Sequence, residues 1–338
     1  MMTGKGSPGE RRPAVQQNPE VQTDSTVLAS STVHTNSTVL TDSTMLVHVL
    51  DVMNIPFTIM VKPWKQSEYE FRRNRRITAE TTRLAVGEIE GFLHEVDRRF
   101  SPFKPDSLVS QARRGDWSAL LDDGDFQEIY AKSALAKTLT HGAFDAFHQG
   151  TYDPTGLVKG WAIDKATTRF LSPLVTTCND EAHGTTGDEF QKSPVEAVAL
   201  NGGGDIRVAV SQHSDHIWNI GIENPEDTGR IIARSSMHNG AVATSGFSKR
   251  GRHITHTTNR EVLRQLTVIS DNLEDADMWA TAGIASGLDS WTHMARDHGL
   301  NAIAVRENGE ILQFTDGMKI SRRHTANPDT RPHEEPTC

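Results

Sequence analysis

Between residues 46 and 320 the sequence alternates short β-branched runs with longer runs of helical period, and that alternation confines the chain to a mixed α and β architecture. Ile89, Phe92, Leu93, Val96 and Phe100 recur at three- and four-residue steps, which predicts an amphipathic helix over 80–100. Ile163, Ala166 and Phe170 predict a second over 159–171. The runs 195–200, 217–222, 266–270 and 301–305 are short and bounded by turn residues, as strands are. Asn308-Gly309, set between Ala302–Val305 and Ile311–Phe314, predicts a hairpin closed by a tight primed turn. The expected fold is α+β, with mixed, largely antiparallel sheets and packed helices.

The ends differ from this middle. Residues 1–45 are rich in Ser, Thr, Gln, Asn and Pro, hold no aromatic residue, and repeat a six-residue unit starting at Ser25, Ser31, Ser37 and Ser43. Four copies with so few large apolar side chains are too little to stack into a core, so a disordered leader is expected there. A polar insert over 178–193 and a polar tail over 321–338 are expected to flank or interrupt one catalytic domain, 46–320. A net charge of −9 argues against nucleic-acid binding, which needs a basic face. The basic run Arg72-Arg73-Asn74-Arg75-Arg76 reads as a solvated loop. No stretch reaches the roughly 18 apolar residues of a membrane span. Cys178 and Cys338 form neither a disulfide framework nor a zinc motif. With no apolar export segment at Met1–Gly6, a cytoplasmic location is expected.

Four segments are unusual enough to carry chemistry. In Asp153–Asp164 a turn runs into a helix, with Gly156 and Gly160 permitting close approach and Lys159 near a helix start that favours anions; a plain capped helix start fits equally. The spacing is not that of a Walker phosphate loop. Asn201-Gly202-Gly203-Gly204-Asp205 is either a glycine hairpin or a backbone path close to a ligand. Ala241–Gly246 followed by Lys249, Arg250, Arg252 and His253 offers hydroxyls, cations and an imidazole suited to phosphates and proton transfer, or else an exposed loop. In Asn272–Gly283, Asn272 is a candidate helix N-cap, and Asp277 and Thr281, four residues apart, share a helix face. That pair is either ordinary surface or two hard oxygen donors for Mg²⁺.

In this order the segments resemble the ApbE family of FAD:protein FMN transferases. The likeness covers about residues 47–316 and includes Val52–Ile59, Phe100–Ser107, Gly142–Asp145, Asp153–Asp164, Gly202–Asp205, Trp218–Pro225, Ala243–Gly246 and Ala276–Thr281. Asn54-Ile55 stands where that family has Gly-Thr, and Thr255-His256-Thr257 where it continues with Asp-Pro. The resemblance implies a two-lobed α+β fold. It implies an FAD site lined by Met53, Phe103, Ala143, Phe144, Asp145, Asp153, Lys159 and Ile254, and a Mg²⁺ held by the Gly156 carbonyl with Asp277 and Thr281. It makes His253 the candidate proton acceptor. The implied reaction moves FMN from FAD to a threonine of an acceptor protein and releases AMP. Two neighbouring outcomes share the same residues: Mg²⁺-dependent FAD hydrolysis to FMN and AMP, and FAD binding without turnover.

Overall fold

The structure is a computed structural model, and it describes residues 14–16, 26–28, 40–42, 45–64, 68–176, 193–246 and 261–320. It opens with three short strands, β1 (Ala14–Gln16), β2 (Thr26–Leu28) and β3 (Leu40–Asp42), in the Ser/Thr-rich region. The hairpin β4 (Met45–Val52) and β5 (Ile55–Pro63) leads into the 33-residue helix α1 (Glu68–Phe100). Then come α2 (Leu108–Arg113), α3 (Ala119–Asp122), α4 (Gly124–Leu139) and α5 (Thr155–Ala166). A π turn over Thr167–Leu171 joins α5 to the short α6 (Ser172–Val175). Strands β6 (Val195–Gly202), β7 (Asp205–Val210), β8 (Trp218–Glu223), β9 (Ile231–Met237), β10 (Gly240–Gly246) and β11 (Leu263–Ser270) follow. The chain continues through α7 (Leu273–Ser286), α8 (Leu288–His298), β12 (Asn301–Arg306), β13 (Ile311–Thr315) and β14 (Met318–Ile320).

The large sheet runs β14-β13-β12-β11-β10-β7-β6-β5-β4-β3, with every neighbouring pair antiparallel. The small sheet runs β1-β9-β8-β2, and there β2 lies parallel to β8. Helices cover one face of the large sheet. Ile89, Leu93, Val96 and Phe100 of α1 are buried in that layer with Trp161 and Ile163 of α5 and with Leu273 and Ala280 of α7. The other face packs on the small sheet through Met60, Ala199, Val208, Trp218, Ile220 and Met237. The fold is therefore α+β, as the periodicity predicts, with alternate residues of the central strands serving two separate apolar layers. None of the described helices is long and apolar enough to cross a membrane.

Three local expectations are corrected. The basic run 72–76 is helical, forming the early turns of α1 with Arg72 and Arg76 exposed, since arginine is a good helix former and no breaker separates it from residue 80. The helix expected over 159–171 starts at Thr155 and changes to a π turn at Thr167, ahead of Pro173, which has no N–H to continue a helical ladder. At Asn308-Gly309 the hairpin forms, but only Gly309 has a positive φ, at 83°. The Gly309 N–H donates to the Arg306 carbonyl and the Arg306 N–H to the Glu310 carbonyl, which is a three-residue loop with glycine at the bulge rather than a primed turn.

Candidate active site

One end of the large sheet gathers the β4–β5 turn, the β6–β7 turn, the end of β10 and the start of β11. The β6–β7 turn is the tightest. Gly203 and Gly204 have φ of 64° and 103°, the primed conformation that glycine adopts at no steric cost. The Asn201 side-chain oxygen accepts the Gly204 N–H at 3.0 Å. A Cβ on Gly202 would stand 2.7 Å from both Ile163 and Phe57, so this position too must be glycine. The turn delivers Asp205 as the first residue of β7, with 1% of its surface exposed.

A carboxylate so buried requires charged or N–H partners. Asp205 Oδ1 accepts the Thr244 N–H at 3.0 Å, and Oδ2 pairs with Lys159 Nζ. Lys159, from the second turn of α5, also lies 3.8 Å from Asp277 Oδ2. Asp277 is 3% exposed and accepts the Gly160 N–H at 3.2 Å. Helices α5 and α7 meet there almost backbone to backbone. A Cβ on Gly160 would come within 2.9 Å of both Asp277 Cβ and the Leu273 carbonyl oxygen. Thr281, one turn beyond Asp277, has its hydroxyl 3.3 Å from that of Ser245. Its methyl would be 3.6 Å from a Cβ on Gly156, and the Phe144 ring 3.1 Å from the same point. The fold thus brings together Gly156, Lys159, Asp277, Thr281 and Phe144 from three separated stretches of sequence.

Other implied residues lie around this centre. Met53 and Asn54 form the β4–β5 turn with φ of 56° and 58°; Asn is among the few side chains that tolerate this conformation, so it supplies what a glycine would at the same place. The Met53-Asn54 turn borders the β6–β7 turn, where the Gly203 N–H donates to the Pro56 carbonyl at 3.3 Å. Phe103 projects from the loop after α1 and is 91% exposed. Ala143 is half-buried beside Phe144. Burial would raise the Asp145 carboxyl, but Lys137, 2.8 Å away, and the Phe147 N–H hold it below the usual carboxylate range. Asp153 accepts from the Thr155 N–H and hydroxyl at the start of α5. His253 and Ile254 lie outside the described residues, as do Lys249, Arg250 and Arg252.

Two residues with defined roles in this arrangement were not singled out by sequence reasoning. Asp205 had a legible signal: a carboxylate that opens an apolar strand directly after three glycines will be buried unless the strand frays. Arg113 had none. Its guanidinium binds Asp153 Oδ2 at 2.8 Å, the Tyr152 carbonyl at 2.7 Å and the Pro102 carbonyl at 3.4 Å, joining the Phe103 loop to the entry of α5. The base of α7 is fixed as well, because Asp164 Oδ2 accepts the Glu274 N–H at 2.7 Å and Lys132 grips both Glu274 oxygens at 2.6 and 2.7 Å.

Among the described residues no three His, Cys, Asp or Glu side chains converge in a metal-binding group. A cation at this centre would instead draw on one carboxylate, one hydroxyl and one backbone carbonyl. That hard-oxygen set with few protein ligands suits Mg²⁺, which keeps waters and substrate phosphates as its remaining ligands. The Gly156 carbonyl shares its helical N–H partner, that of Gly160, with Asp277, which leaves it suited to a further contact.

The sequence model of the ApbE family matches residues 147–304, a stretch that holds Gly156, Lys159, Asp205, Asp277 and Thr281 but not Phe144 or the Met53-Asn54 turn. Over that stretch, a little under half of the chain, the sequence is similar to the ApbE family. The chain is also 27% identical, over 130 residues, to the FAD:protein FMN transferase of Rhodobacter capsulatus. That alignment takes in 35% of this chain and only 25% of the relative. The fold is that of the solved ApbE proteins. The flavin transferase ApbE from Vibrio cholerae superposes with a TM-score of 0.56 at 14% identity, covering 80% of this chain and 97% of that one. The ApbE protein from Thermotoga maritima superposes with a TM-score of 0.57 at 18% identity, with the same two coverages, 80% and 97%. The ApbE likeness and the α+β fold expected from the motifs thus rest on findings independent of them.

Proposed function

We propose that this protein transfers the FMN half of FAD to a threonine hydroxyl of an acceptor protein in a Mg²⁺-dependent reaction that releases AMP. The observation that carries this reading is the convergence of Lys159 and Asp277, and of Gly156 and Thr281, where α5 meets α7 within the ApbE-matching region. A Mg²⁺ held by Asp277, Thr281 and the Gly156 carbonyl would neutralise charge developing on the diphosphate bridge. Lys159 places an ammonium at the same point, where it binds the bridging phosphates and stabilises the departing AMP. The glycines at 160 and 202 let α5 and the β6–β7 turn pack closely enough to hold Lys159 and Asp205 against Asp277. Asn54 and Met53 close the neighbouring turn where the isoalloxazine end is received. The threonine oxygen attacks the FMN phosphorus, a P–O bond to threonine forms, and the P–O bond to AMP breaks. Because a threonine hydroxyl ionises far above neutral pH, its proton passes to a general base, the role we assign to His253.

The test uses purified protein with FAD and Mg²⁺, with and without a peptide carrying an acceptor threonine. Equal amounts of AMP and flavin-labelled peptide are expected, and none with a Thr→Ala peptide. AMP and free FMN formed without peptide would make the protein a pyrophosphatase. FAD bound with no AMP in either arm would make it a flavin-binding module.

A further inference from the structure

We infer that Asp205 is a positioning residue that keeps Lys159 off Asp277, and so keeps the Asp277 carboxylate available to a divalent cation. The inference rests on the proposed metal role of Asp277 and adds a residue to it. Lys159 Nζ lies between two buried carboxylates of unequal reach. It pairs directly with Asp205 Oδ2, whereas its ion pair with Asp277 Oδ2 is longer, at 3.8 Å, beyond hydrogen-bond distance. Asp205 itself cannot drift toward the lysine or away from it, because its other oxygen is held by the Thr244 N–H at 3.0 Å and its backbone by the Gly203-Gly204 turn. Lysine is a flexible four-carbon stem with a compact charge, so in a low-dielectric cluster it collapses onto whichever carboxylate is offered. With Asp205 charged, that carboxylate is Asp205. With Asp205 neutral, Asp277 becomes the stronger attractor, the ammonium moves the short remaining distance, and a cation must displace it to bind.

The geometry also explains why the tether comes from the sheet and not from a helix. Lys159 and Asp277 sit on adjoining faces of α5 and α7, and a helix-borne anchor would shift with them. An anchor on β7 is fixed by the ladder to β6 and β10.

The experiment measures Mn²⁺ binding to the full chain by electron paramagnetic resonance and titration calorimetry, without FAD. Asp205→Asn keeps the acceptor for Thr244 and removes only the charge. It is expected to weaken Mn²⁺ binding at least tenfold. Lys159→Met/Asp205→Asn removes the intruding ammonium as well, and is expected to recover binding to within threefold of the wild type. A merely structural role for Asp205 would not be rescued by deleting its partner. The double variant is charge-balanced, so it reports even where Asp205→Asn alone fails to fold. Asp205→Asn binding Mn²⁺ like the wild type, or a double variant binding at least tenfold more weakly than the wild type, overturns this inference alone. A wild type that binds no Mn²⁺ overturns it together with the metal role of Asp277.

Discussion

The two ends of the large sheet each carry a half-buried lysine next to a carboxylate, yet they are built differently. At the far end, Lys62 of β5 reaches Glu196 Oε2 of β6 at 3.0 Å and His216 Nδ1 at 3.0 Å, and Ser214 donates to Glu196 at 2.8 Å. His216 stands edge-on to Trp218, ring centroids 4.9 Å apart. Full-sized side chains fill the space, and the lysine faces one carboxylate and one neutral ring. At the near end Lys159 faces two carboxylates, and glycine stands at 156, 160, 202, 203 and 204. At the far end side chains meet side chains around a single ion pair, whereas at the near end glycines let main chains approach closely around two carboxylates that share one ammonium.

The largest expected contrast is at Asp277. If Asp277 holds the cation as proposed, Asp277→Asn should lower FMN transfer by about 10²–10³-fold, read as AMP release, because a charge acting on the transition state would be lost. Lys159→Met should cost about 10²-fold by the same assay, whereas Lys62→Met, its counterpart at the far end, should leave transfer within twofold; equal losses for the two lysines would erase the distinction between the ends. Gly160→Ala should destabilise the fold by about 1–3 kcal/mol in denaturant titration, since the added methyl meets the Leu273 carbonyl and Asp277 Cβ at 2.9 Å and backbone cannot yield cheaply.

The smallest effect is a pH dependence confined to the far end. Burial first, then the charge of Lys62, pushes the His216 imidazole down to about 4 from the ordinary 6.5. The unfolded chain therefore takes up this proton before the folded one does. The stability contributed by neutral His216 is complete above pH 6.5 and is lost as the pH falls through 6.5 toward 4. Allowing for solvent screening of a partly exposed group, the loss amounts to about 1–2 kcal/mol. His216→Asn should flatten that slope in urea titrations at pH 7 and pH 5 while transfer at pH 7.5 stays unchanged.

Much of this arrangement is legible in the sequence because it is local. The stripe of α1, the Asn272 cap that accepts the Asp275 N–H at 2.8 Å, and the stop of α7 at Gly287 follow from periodicity and from capping chemistry. The Asp277–Thr281 spacing reads as one helix face for the same reason. What the sequence hides is long-range. Nothing in residues 102–113 announces that Arg113 will bridge Pro102, Tyr152 and Asp153, and nothing near Lys159 states that its partner comes from β7 and not from the next helix turn. At Asn308-Gly309 the residue types suit both a primed turn, which needs two positive φ angles, and a three-residue loop with a glycine bulge, which needs one; Asn tolerates either conformation, so the pair alone does not separate them.

Where α5 crosses α7 at Gly160, no side chain stands between the two main chains. The interval between the main chains that carry Lys159 and Asp277 is therefore a property of two peptide backbones in touch, and not of whatever apolar residues happen to fill the surrounding layer. Drift among those neighbours can exchange one shape for another and still leave the spacing of the two helices where it is, whereas a single methyl at the crossing would pry them apart.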